Sequence, residues 1–122
     1  MTKIMIVDDE ENFLELMINL LQNEGFEVIP AENGRQCLDK LRTVKPDLIL
    51  MDMMMPGISG KETVKKIREN PRTKDTKVIF LTVVRLSYIG EDILEELNVS
   101  DYIVKPFDND DLIQRIKKVL EK

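Results

Sequence analysis

Five short apolar runs recur along the chain: Ile4-Met5-Ile6-Val7, Phe26-Glu27-Val28-Ile29, Leu48-Ile49-Leu50-Met51, Val78-Ile79-Phe80-Leu81 and Tyr102-Ile103-Val104. They are too short for helices and rich in β-branched residues, so they read as strands. Their unbroken apolar character points to burial on both faces. The segments between them carry helical periodicity instead. Phe13, Leu16, Met17, Leu20 and Leu21 make one stripe, which Gly25 should end. Cys37, Leu38 and Leu41 make a second. Ser59-Gly60-Lys61-Glu62 has the form of a capping box and opens a third helix, with Val64 and Ile67 facing inward and Pro71 beyond its end. Ile89, Ile93, Leu94 and Leu97 mark a fourth helix. Leu112, Ile113, Ile116, Val119 and Leu120 mark a fifth, with Asp108 as its cap. Strict alternation of this kind predicts an α/β fold, (βα)5, with a parallel sheet covered by helices on both sides.

The 122 residues suit one domain spanning 1–122, and no repeat, linker or output domain is evident. No apolar run approaches the ~20 residues of a membrane span. Met1-Thr2-Lys3 leads straight into a strand without a signal peptide, and one cysteine, Cys37, cannot form an internal disulfide. The expectation is a cytoplasmic domain with no membrane partner. A net charge of −5 argues against direct nucleic-acid binding. Histidine is absent, which removes the usual zinc ligand and the usual general base. Any metal should therefore be a hard one held by oxygen.

In open parallel sheets, ligands bind beyond the carboxyl ends of the strands. Asp8, Asp9 and Glu10 follow the first strand, Asp52 follows the third, Thr82 ends the fourth and Lys105-Pro106 follows the fifth. Pro30-Ala31-Glu32, after the second, offers nothing reactive. Asp8, Asp9 and Asp52 set against Lys105 leave two negative charges in excess, which one Mg²⁺ would cancel. An ionised Asp52 could attack phosphorus without a general base. The metal, Lys105 and the Thr82 hydroxyl would stabilise the transferring oxygens.

Val7-Asp8-Asp9-Glu10, Asp52-Met53-Met54-Met55-Pro56-Gly57-Ile58-Ser59-Gly60, Leu81-Thr82 and Tyr102-Ile103-Val104-Lys105-Pro106-Phe107, in this order, resemble the receiver domains of response regulators along the whole chain. That resemblance implies a flavodoxin-like sandwich with strand order 2-1-3-4-5. It implies Asp52 as phosphoacceptor, and Asp8 and Asp9 as metal acids joined by Asp52 and the backbone carbonyl of Met54. Thr82 and Lys105 would sense the phosphoryl group, and Tyr102 would be an aromatic switch turning inward as Thr82 moves. The Lys105-Pro106 bond resembles the family's cis peptide. Mg²⁺ is the implied cofactor, with Mn²⁺ as a substitute. A sensor histidine kinase or phosphotransfer protein is the implied donor. A downstream effector would bind the face made by the fourth helix, fifth strand and fifth helix, with the domain a monomer or a phosphorylation-dependent dimer. It is not an enzyme beyond its own phosphorylation and dephosphorylation.

Plainer readings stand beside these. Asp8 and Asp9 could cap the first helix, Thr82 could be ordinary strand chemistry, Lys105 a surface lysine and Tyr102 a core aromatic. The methionines from Met51 to Met55 read as core packing and loop lining, Cys37 as packed and inert, and Glu91 to Glu96 as a solvated face. Three features depart from the family. Val83 stands where a small residue is usual and should narrow access to the phosphoryl group. The interval from Thr82 to Lys105 is one residue long, so the fourth helix should be shifted or irregular. Asn98-Val99 replaces Gly-Ala before the fifth strand, and Asn should still allow the left-handed helix stop. A receiver-like interaction module independent of phosphorylation is the main rival. An Asp-nucleophile phosphohydrolase lacks its Asp-x-Asp after the first strand, and a dinucleotide binder lacks its glycine-rich loop.

Overall fold

The computed structural model describes residues 1–122. In chain order the elements are β1 (Lys3–Val7), α1 (Glu11–Asn23), β2 (Glu27–Ala31), α2 (Gly34–Lys40), β3 (Leu48–Met51), α3 (Gly60–Glu69), β4 (Lys77–Thr82), α4 (Leu86–Ile89), α5 (Asp92–Glu96), β5 (Asp101–Val104) and α6 (Asn109–Leu120). The five strands form one parallel sheet in the order β2-β1-β3-β4-β5. This is the flavodoxin-like arrangement expected.

Side chains alternate across each strand, and the alternation splits the core in two. Ile4, Ile6, Leu48, Leu50, Ile79, Leu81 and Ile103 face α1 and α6, meeting Leu14, Met17, Leu21, Leu112 and Ile116. Met5, Val7, Ile49, Met51, Val78 and Phe80 face α2 to α5, meeting Cys37, Val64, Ile67, Ile93 and Leu97. The central strands are sealed on both faces, as their unbroken apolar runs required. β2 differs: it is an edge strand, only Ala31 is fully buried, and it runs through Pro30, which the sequence placed after the strand. An edge tolerates a residue with no N–H.

The helix ends follow local chemistry. Ser59 Oγ accepts from Glu62 N–H at 3.1 Å, Asn33 Oδ1 from Gln36 N–H at 2.8 Å and Asp108 Oδ1 from Asp110 N–H at 3.0 Å. Asn98 adopts φ +52° after α5, the left-handed stop expected of it. One further expectation needs correcting. Leu16 is 68% exposed rather than core, because the buried stripe is centred on Leu14, Met17 and Leu21 and a step of two residues from Leu14 turns to the far side of the helix. The fourth helix is irregular, as the long interval from Thr82 to Lys105 led one to expect: it is two short ones, α4 and α5. Gly90, at φ +93°, closes α4 by donating its N–H to Leu86 O and turns the chain out of helix. The acidic side chains of Glu91, Asp92, Glu95 and Glu96 are exposed, as a solvated face should be.

Candidate functional site

The carboxyl ends of four strands meet at one edge. Register pairs Val7 with Met51, so the residues that follow, Asp8 and Asp52, emerge side by side. Their backbones stay in the ladder: Asp52 N–H donates to Val7 O at 3.0 Å and Asp8 N–H to Ala31 O at 3.1 Å. Thr82 closes β4, and Lys105 N–H donates to Thr82 O at 2.8 Å, which brings the lysine over from β5. Asp8, Asp52 and Thr82 are buried, at 1%, 7% and 0% exposure, while Asp9 is exposed. One carboxylate oxygen from each of Asp8, Asp9 and Asp52 lies within 4.8 Å of the others. An all-oxygen donor set this close fits a hard divalent cation.

The cluster has internal partners. Lys105 Nζ donates to Asp8 Oδ2 at 2.5 Å, with only 15% of the lysine side chain exposed. Asp8 Oδ1 accepts from Glu10 N–H at 2.9 Å. The α1 N-cap is Glu10, which makes no side-chain cap bond of its own. Asp52 Oδ1 accepts from Met54 N–H at 3.3 Å, which holds the β3–α3 loop, and with it the Met54 backbone, beside the carboxylate. Thr82 Oγ accepts from Val84 N–H at 3.4 Å, leaving its own proton to donate. Burial raises the Asp52 carboxyl above its ordinary range, and the Asp8 charge adds to this. The Thr82 hydroxyl, the Lys105 ammonium and the Met54 N–H pull the other way.

The surroundings fix these groups. A Cβ on Gly60 would lie 2.0 Å from Asp52 O, so only glycine lets α3 start this close to the acid-bearing strand. Tyr102 lies inward, packed on Phe80 at 5.9 Å between ring centroids, and its hydroxyl donates to Val84 O at 2.5 Å. Lys105-Pro106 is cis, as the resemblance implied. Cys37 lies apart and packed in the core, as expected, its thiol pushed up to about 12 by burial. Met51 and Met53 are buried in the core, whereas Met54 is 62% exposed on the loop.

Asp8, Asp9, Asp52, Met54, Thr82 and Lys105 thus lie together at this edge, and Tyr102 reaches it through Val84. Two partners were missed. The Lys105 ammonium sits 3.9 Å from the centroid of the Phe13 ring, and Phe13 meets Phe107 edge-to-face at 6.3 Å. Phe13 carried only a helical-periodicity signal, and nothing in its spacing pointed at Lys105. The Val84 carbonyl that receives Tyr102 has no side-chain signature at all. Beside Lys105 a groove of about 460 Å³ opens between α1 and the β5–α6 loop, lined by Phe13, Leu16, Met17, Leu20, Val83 and Phe107. Leu16 and Val83, exposed at 68% and 64%, form part of its wall.

Residues 4–117 match the response regulator receiver domain family. The chain is 41% identical over 122 residues to the transcriptional regulatory protein CpxR of Escherichia coli strain K12, covering 100% of this chain and 50% of CpxR. It thus spans about half the length of the curated relatives it matches. The chemotaxis protein CheY4 of Vibrio cholerae superposes with a TM-score of 0.90 at 29% identity, covering 98% of each chain. The response regulator TrrA of Thermotoga maritima, solved in complex with Mg²⁺-BeF, superposes with a TM-score of 0.85 at 40% identity, covering 98% of this chain and 99% of that one. TrrA has also been solved in complex with the histidine kinase ThkA. With this sheet, this acid cluster and these relatives, the chain belongs to the receiver domains of two-component response regulators.

Proposed function

We propose that the domain is a phosphorylation-activated switch in which Asp52 accepts a phosphoryl group from a histidine kinase or phosphotransfer protein. The observation that carries this reading is the convergence of Asp8, Asp9 and Asp52 within 4.8 Å, with Lys105 bonded to the same cluster. An Asp52 oxygen forms the new bond to phosphorus as the donor's bond to phosphorus breaks, and the donor's side chain leaves with that electron pair. Asp52 needs no base, since it reacts as the carboxylate. Lys105 and the Thr82 hydroxyl donate to the transferring oxygens, where charge must be met. Asp8, Asp9, Asp52 and the Met54 carbonyl would hold Mg²⁺, or Mn²⁺ in its place, and the bound cation would supply further charge neutralisation there. Water attacking the same phosphorus returns Asp52 to its carboxylate. The domain therefore acts on itself alone and on no external substrate.

Thr82 and Tyr102 link chemistry to output. Thr82 Oγ holds Val84 N–H, and Val84 O receives the Tyr102 hydroxyl. Movement of Thr82 toward a phosphoryl oxygen would release one bond of this chain and rearrange the β4–α4 loop. The face offered to an effector is then α4, α5, β5 and α6, with the domain a monomer or a phosphorylation-dependent dimer. The groove beside Lys105 would seat the donor, because it lies next to the acceptor site and is open and apolar. TrrA's complex with ThkA supports a histidine kinase as that donor. The curated relatives are transcriptional regulatory proteins about twice this length. The net charge of −5 disfavours direct nucleic-acid contact by this domain itself. A cytoplasmic location, where Cys37 would stay reduced, fits this function.

A phosphorylation-independent interaction module has one observation in its favour: Tyr102 already lies inward. Intact mass separates the two. Wild type and Asp52→Asn would be incubated with phosphoramidate, with and without Mg²⁺. One added phosphoryl group that needs both Mg²⁺ and Asp52 supports the switch. No adduct, together with no Mg²⁺ binding by titration, would give the lead to the module.

A further inference from the structure

We infer that Phe13 is a positioning residue for Lys105, its ring face holding the ammonium over the acid cluster from the groove side. The inference rests on the role proposed for Lys105 and adds to it a residue on a different element. A lysine ammonium is a point charge on a flexible stem with three protons to place. Here one proton goes to Asp8 Oδ2, and the ammonium lies 3.9 Å from the Phe13 centroid. A cation over an aromatic face is attracted by the ring quadrupole, and more strongly when partly desolvated, as a side chain only 15% exposed is. The ring is itself held: Phe107 meets it edge-to-face at 84°, and Phe107 follows the cis Lys105-Pro106 bond. Phe13 is only partly buried at the margin of the α1–α6 core, so it is not there solely to fill that core. Phe13 and Lys105 line the same groove side by side, so a smaller or non-aromatic side chain at 13 would leave the lysine stem an open, unpartnered margin there.

The test compares wild type with Phe13→Leu, which keeps an apolar side chain, and with Phe13→Tyr and Phe13→Trp, which keep a π face. The first readout is the Lys105 ammonium signal in metal-free protein labelled with ¹⁵N-lysine and assigned by Lys105→Arg. The second is the limiting rate of phosphorylation by phosphoramidate at saturating Mg²⁺, with melting temperature as the control for packing. The expected result is a signal that is observable in wild type and both aromatic variants and broadened in Phe13→Leu. The rate should fall about three- to tenfold in Phe13→Leu alone. A Leu variant that matches wild type in both readouts, or aromatic variants that fall with it in step with melting temperature, would overturn the inference. If wild type itself forms no adduct, the acceptor reading fails instead, and an ammonium signal unchanged by Phe13→Leu would bring down the positioning role as well.

Discussion

Asp52 occupies a costly place for a carboxylate, and this has a measurable consequence. The group is 7% exposed beside Asp8, and burial raises its folded pKa above the unfolded value. A raised acid gives a contribution that favours the folded state below the unfolded pKa and fades as pH rises through the folded one. At neutral pH the metal-free protein therefore carries a penalty that Asp52→Asn removes. The variant should melt higher than wild type, by a gap that widens as pH rises from below the carboxylate range to neutrality. Saturating Mg²⁺ should close or reverse that gap. Calorimetry at several pH values checks this, and a gap that is flat with pH would refute it. Val83 sets a second test at the same scale. It is exposed on the groove wall beside Lys105, so it stands on the donor's approach. Val83→Ala should speed both phosphorylation by phosphoramidate and loss of the phosphoryl group by about two- to fivefold, a modest steric gain of under about 1 kcal/mol. Unchanged rates would show that Val83 shapes the groove without restricting access.

Among the elements, the long loop and helix region after β4 departs most from the pattern read in the sequence. Ile89, Ile93, Leu94 and Leu97 have helical spacing, and the first three lie within helix while Leu97 caps α5. Periodicity, however, records which side chains face the core and says little about whether the backbone between them is continuous. Gly90 interrupts it, and α4 contributes no buried residue. By contrast, Asp8, Asp52, Thr82 and Lys105 were legible because strand ends are marked by the end of an apolar run, and a parallel sheet must bring those ends to one edge. Phe13 was not, since contact between α1 and the β5–α6 loop depends on rotamers. Arg68 was equally hidden. From α3 its guanidinium donates to Leu97 O and Thr76 O at 2.7 Å, to Lys74 O at 2.9 Å and to Asn98 O at 3.2 Å. It thereby ties α3 to the start of β4 and to the left-handed turn before β5. A lysine cannot span that fork. Arg68→Lys should cost about 1–3 kcal/mol in urea unfolding, with the largest loss of amide protection around Leu97 and Asn98. A loss below about 0.5 kcal/mol would mean that water replaces the clamp.

For the molecule as a whole, stability is unevenly shared, and function sits at the weaker end. The sheet is sealed between two apolar clusters, with Ile4, Ile6, Leu48 and Leu50 on one side and Met5, Ile49, Met51 and Phe80 on the other, all at 0% or 1% exposure. Opening β1 or β3 exposes both clusters at once and so requires global unfolding. By contrast, α4 and α5 themselves bury only Ile93 and, at the cap, Leu97, and α4 spans four residues and α5 five. Local opening there is correspondingly cheap. Yet this is the region that Thr82 and Tyr102 hold through Val84, by one weak bond at 3.4 Å and one short one at 2.5 Å. Hydrogen exchange should therefore find amides of Leu86–Leu97 exchanging at least about tenfold faster than those of β1, β3 and β4 in the metal-free protein. Mg²⁺ with beryllofluoride, standing in for the phosphoryl group on Asp52, should slow exchange in that segment more than in the sheet, because Thr82 then has a fixed partner and the β4–α4 loop loses its alternatives. Tyr102→Phe should remove part of that added protection while leaving beryllofluoride binding intact. Uniform protection along the chain, or a gain spread evenly over the sheet, would mean that the loop is not the two-state element and that the inward Tyr102 is ordinary core packing.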